Sequence, residues 1–85
     1  MAKVIDTNGL LRSHKAVLNC FRKRKLMTDA ELVQYMYKNN VYFMTPQSIR
    51  SRRAELVRMG IIEKTDKRRK NSSGHTASVW TLAQD

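Results

Sequence analysis

Apolar residues recur from Leu10 onward at spacings close to the helical period: Leu10, Leu11, Val17, Leu18 and Phe21. The pattern predicts a helix over about residues 9–24. It ends in the basic run Arg22, Lys23, Arg24 and Lys25, where cations complement the negative end of a helix dipole. The sequence TDAE at 28–31 has the form of a capping box, in which Thr28 accepts from the Glu31 amide while Glu31 reaches back. A second helix is predicted to follow, burying Leu32, Val33, Met36 and Tyr37. KNN at 38–40 predicts its stop, because Asn tolerates the left-handed conformation common past a helix end. After a short apolar link at 41–44, Thr45 can cap a third helix with Pro46 at its first position, and Gly60 closes it. Ile49, Leu56, Val57 and Met59 supply the apolar side of that helix, leaving Gln47, Arg50, Ser51, Ala54 and Arg58 outward.

The period then switches. Residues 61–65 (IIEKT) and 77–83 (ASVWTLA) are rich in the β-branched and aromatic residues that strands favour. Asn71, Ser72, Ser73 and Gly74 between them are turn formers, so a hairpin is predicted. Its loop is expected over about residues 66–76, mobile without a partner, with Trp80 and Leu82 on one face covering the helices. The chain thus reads as one α+β domain over residues 1–85, mostly α, with residues 1–8 a flexible lead-in.

The order of three helices and a hairpin, carried by Thr45, Pro46, Ile49, Leu56, Gly60, Ile62, Trp80 and Leu82, resembles the winged helix-turn-helix fold. It is similar to multiple-antibiotic-resistance-type regulators and to many small phage or prophage proteins, over about residues 10–83. Three departures stand out. Arg52 and Arg53 occupy positions such regulators usually fill with aliphatic residues. The link at 38–44 is longer than the turn of a minimal helix-turn-helix, and no long dimerisation helix follows the hairpin. The resemblance implies a third helix in a DNA major groove with its N-terminal residues nearest the bases, which nominates Gln47, Ser48, Arg50 and Ser51. Arg suits guanine O6 and N7, and Gln suits adenine. Ordinary solvated helix faces carry the same residue types, and Ser48 can equally complete the N-terminal cap. Arg58 is placed for phosphate, and the stems of Arg52 and Arg53 can lie along the core edge with their heads on a phosphate or an acid. In the wing, Lys67, Arg68, Arg69 and Lys70 can clamp phosphates or enter a minor groove.

Charge sharpens this picture. Seventeen Lys and Arg oppose seven Asp and Glu in 85 residues, a net charge of +10. Such an excess repels itself unless a polyanion relieves it. Residues 12–25 carry six basic residues and no acid, and residues 50–70 carry nine basic and three acidic ones, a net of +6. The second block contains the third helix and the wing. The first either flanks it on the phosphate backbone or is a solvated helix end.

Other chemistry finds little footing. His14, Cys20 and His75 lack zinc-ligand spacing, and no glycine-rich phosphate loop or acid/base pair is evident, so no catalytic residue, metal or cofactor is expected. Tyr35, Tyr37, Tyr42 and Phe43 can be read as base-stacking aromatics, but at helix spacing and in a link they are expected in the core. One cysteine and no secretory signal suit a bacterial cytoplasm or nucleoid, and no stretch approaches a membrane span. The expected partner is double-stranded DNA, bound by a monomer or weak dimer acting as a transcriptional or replication-linked regulator. A protein-interaction module that engages a host or phage protein through the apolar link, or an RNA-binding winged helix, are the alternatives.

Overall fold

Each helix boundary follows from a local hydrogen-bonding need. The computed structural model describes residues 9–83, so the lead-in at 1–8 lies outside the described residues. Helix α1 spans Arg12–Lys23, α2 Asp29–Lys38 and α3 Pro46–Arg58, followed by strands β1, Ile62–Lys70, and β2, Thr76–Leu82. Three helices and an antiparallel hairpin in this order form the winged-helix layout.

The capping box of α2 is formed. Thr28 Oγ1 accepts from the Glu31 amide at 3.2 Å and Glu31 Oε1 accepts from the Thr28 amide at 2.9 Å. At α3, Thr45 Oγ1 accepts from the Ser48 amide at 3.1 Å, and Pro46 begins the helix. The ends of both helices are Schellman motifs, which satisfy the last carbonyls through a residue in the left-handed region. Asn40 takes φ 51° and Gly60 φ 79°. The Val41 amide then reaches the Met36 carbonyl at 3.1 Å, and the Ile61 amide reaches Leu56 at 2.9 Å.

Helix α1 is shorter than the predicted 9–24. Leu11 is extended, with φ −71° and ψ 162°, and its amide is taken by His14 Nδ1 at 3.0 Å, so the helix starts at Arg12. Arg24 is extended at the other end, which leaves Arg24 and Lys25 outside the helix. The chain then runs straight into Met27, whose backbone pairs with Trp80 in both directions, at 3.2 and 2.8 Å. That bridge ties the α1–α2 link to the hairpin.

Val17, Leu18, Cys20 and Phe21 from α1 meet Met27, Leu32 and Met36, Ile49 and Leu56 from α3, and Ile61 and Ile62 at the start of the hairpin. Burial pushes the Cys20 thiol up to about 11, against a weaker lowering by Lys23. Several residues expected in the core are not there. Leu11, Tyr37 and Met59 are exposed, the last because α3 has already ended at Arg58. Trp80 and Leu82 do pack against the core as half-buried residues, while Val79, just before them, is fully buried.

The hairpin pairs further out than the predicted loop of 66–76. Residues Arg68, Arg69 and Lys70 pair with Ser78, Ala77 and Thr76, so the connecting turn is only 71–75. The register changes between Lys64, opposite Trp80, and Arg68, opposite Ser78. Within this bulge Thr65 Oγ1 donates to the Val79 carbonyl at 2.9 Å and accepts from the Lys67 amide at 3.1 Å. At the tip, Asn71 Oδ1 accepts from the Ser73 amide, the Ser73 hydroxyl and the His75 amide at 3.1, 2.7 and 3.1 Å. The Asn71 amide also reaches the His75 carbonyl at 2.8 Å, so the turn within the loop expected to be mobile is closed by its own hydrogen bonds.

Candidate nucleic-acid interface

The first turn of α2 carries two acids, and each receives an arginine from another element. Arg53 of α3 forks onto Asp29 through Nε and Nη2 at 2.8 and 2.6 Å. Its guanidinium carbon lies over the Trp80 ring on β2, 4.1 Å from the centroid. Arg69 of β1 places Nη1 at 2.7 and 3.0 Å from the two oxygens of Glu31. Partial burial pushes the Glu31 carboxyl up, but the Thr28 amide and Arg69 outweigh it and hold the group below its usual range.

A third polar contact joins α1 to α3. His14 Nδ1 accepts the Leu11 amide, so the ring proton sits on Nε2, which donates to Glu55 Oε1 at 2.6 Å. Arg52 donates to the other oxygen of Glu55 at 3.2 Å. The His14 hydrogen bond, with Arg52 beside it, holds the Glu55 carboxyl below its usual range.

These pairs sort the residues singled out from the sequence. Arg53 and Arg69 lie in ion pairs with α2. Ser48 and Ser51 are half-buried, and the Ser48 amide and hydroxyl both engage Thr45, completing the cap. Gln47, Arg50, Arg58, Lys67, Arg68 and Lys70 are exposed, and none of these five cations forms an ion pair among the described residues. Arg50 precedes Arg53 by three residues and so lies on the neighbouring part of the same helix side. Arg68 and Lys70 flank Arg69 on β1, where alternation turns them to the face opposite it. Asp29, Glu31 and Trp80 thus hold the two arginines that join α3 and β1 to α2, while the exposed cations lie elsewhere on the same two elements. Asp66, in the bulge, is the acid nearest in sequence to the wing cations and is exposed.

Sequence reasoning did not find the partners of this junction. Asp29 and Glu31 read only as helix-start residues, and His14 only as a failed metal ligand. The available signal was scarcity: in a chain with seven acids, those at defined helix positions are the ones the arginines can find. Among the described residues no cluster of three or more His, Cys, Asp and Glu could hold a metal ion. No described helix is long and apolar enough to cross a membrane.

No known protein family, curated protein or solved structure matches this chain. Inference about its partner therefore rests on the surface itself.

Proposed function

We propose that this protein binds double-stranded DNA, with α3 in the major groove and the hairpin on the adjacent backbone or minor groove. Gln47 and Arg50 face base edges, and Arg58, Lys67, Arg68 and Lys70 neutralise phosphates. The observation that carries the reading is the division of labour among the arginines. Arg53 and Arg69 are spent on Asp29 and Glu31, bracing α3 and β1 on α2, while Arg50, Arg58, Lys67, Arg68 and Lys70 are exposed and form no ion pair among the described residues. A merely soluble surface does not need its exposed cations carried on two elements braced against a third. Phosphate recognition does, because fixed geometry lowers the ordering cost of binding. A regulatory role in phage or bacterial transcription or replication follows from the resemblance to winged-helix regulators.

Titration of a duplex against salt tests the proposal. With Arg58, Lys67, Arg68 and Lys70 on phosphates, log K falls against log salt with a slope of about −3.5. A flat response removes the reading. Structured RNA that outcompetes duplex DNA replaces it with the RNA-binding alternative.

A further inference from the structure

The link between α2 and α3 departs most from its sequence reading. Val41 and Met44 are half-buried, but Tyr42 is 40% exposed and Phe43 100% exposed. Tyr37, at 47%, stands beside them, and its phenol donates to the Met44 carbonyl at 2.8 Å. Together with Met36 and Asn40, these three rings line one groove. The left-handed turn at Asn40, the Tyr37 bond and the Thr45 cap brace the segment at both ends. The aromatics are thus displayed by a held loop, immediately before the N-terminus of α3.

Charge selects what covers them. No acidic residue lies between Glu31 and Glu55, while Lys38 and Arg50 on either side are exposed and form no ion pair among the described residues. A second copy would bring the same cations against these, +10 facing +10. Nucleic acid, in contrast, supplies phosphates for the rim and flat ring faces for the centre. Exposed Phe is a side chain that proteins insert between base steps, at the cost of local unstacking.

We propose that Phe43, with Tyr42 beside it, is a base-stacking wedge that unstacks one step of the bound duplex. This inference rests on the duplex-binding reading of α3 and the wing. Phe43 precedes Gln47 by four residues, a reach of at most about 14 Å. At about 3.4 Å per step, the opened step lies within roughly four or five base pairs of the position Gln47 contacts.

The test uses the whole chain and duplexes carrying 2-aminopurine at successive positions, since this base brightens when it leaves the stack. Wild type is expected to brighten one step at least about twofold, and Phe43→Tyr to retain the effect. Phe43→Ala is expected to abolish it and to weaken binding roughly 5- to 150-fold, with the salt slope unchanged. Its melting curve should match wild type, since the exposed ring leaves no cavity. Binding without brightening at any position overturns the wedge and leaves the duplex reading standing. Failure of wild type to bind duplex at all removes both. Sedimentation showing a wild-type dimer that Phe43→Ala dissociates, with 2-aminopurine unmoved, assigns the patch to self-association and overturns the wedge.

Discussion

The guanidinium carbon of Arg53 lies over the ring of Trp80, 4.1 Å from its centroid, while its nitrogens fork onto Asp29. One side chain thereby connects α3, β2 and the first turn of α2. Arg69 repeats the device from β1 onto Glu31 two residues further along. A small domain with a modest core gains from such cross-element contacts, because burial alone leaves a thin margin at this size. The same contacts set where the exposed faces of α3 and the wing point. Fold stability and surface geometry are therefore coupled through α2.

Arg53→Ala should be destabilising. A buried pair broken on one side costs about 3–5 kcal/mol, and partial exposure of Arg53 and Asp29 reduces this to about 2–3. For a domain of this size that is a fall in Tm of roughly 10–20 °C, read by thermal denaturation. Arg53→Lys keeps the charge but loses the fork and the flat stacking surface, so it should fall between wild type and Ala. A Tm for Lys equal to wild type would mean that charge alone suffices.

The sequence carried the helices well, for a reason visible at their ends. Thr28, Asn40, Thr45, Pro46 and Gly60 act through local backbone chemistry, which needs no knowledge of the rest of the chain. What it did not carry depends on distant partners. The basic residues of the wing read as loop because charge runs usually do, yet cross-strand pairing with 76–78 keeps them in a strand. Arg69 looked available because its partner lies 38 residues away, and Arg53 read as reaching a phosphate or an acid without the acid 24 residues away being named. Phe43 looked like core because its type is apolar. Only the path of the link, fixed by the turn at Asn40, puts it in solvent.

The wing should separate into two kinds of cation. Replacing Arg68 and Lys70 by Ala should leave stability within about 0.5 kcal/mol, since both are exposed and neither forms an ion pair among the described residues. Under the proposed function it should also lower the steepness of the salt dependence by about 2, uniformly across duplex sequences. Arg69→Ala should instead lower Tm, because it releases Glu31. Equal thermal effects from all three would show that the Arg69–Glu31 pair contributes nothing.

Acid should weaken the fold through two carboxylates. Their hydrogen-bond and arginine partners hold Glu31 and Glu55 below the ordinary glutamate range in the folded chain. A depressed folded pKa gives stability that is complete above the unfolded pKa and is lost as pH falls through the folded one. Glu31→Gln should accordingly be less stable than wild type at pH 7, with the gap closing once the pH drops below about 4.5. Thermal melts of both proteins between pH 7 and 3 measure this. A gap that stays constant across the range would mean that Glu31 acts through its hydrogen bonds to Thr28 and not through its charge.

Arg50 offers the sharpest functional prediction, because its substitution should leave folding alone. It is exposed on α3, forms no ion pair among the described residues, and stands one turn before the braced Arg53. Selection of bound duplexes from a random pool should give a motif with wild type. Arg50→Ala should relax preference at one position of it, at about 1–3 kcal/mol of lost discrimination. Arg58→Ala should leave the motif intact and weaken all duplexes alike, as expected of a phosphate contact. If wild type selects no motif while keeping a steep salt dependence, α3 contributes backbone contacts only, and sequence preference would have to come from the deformability of the DNA.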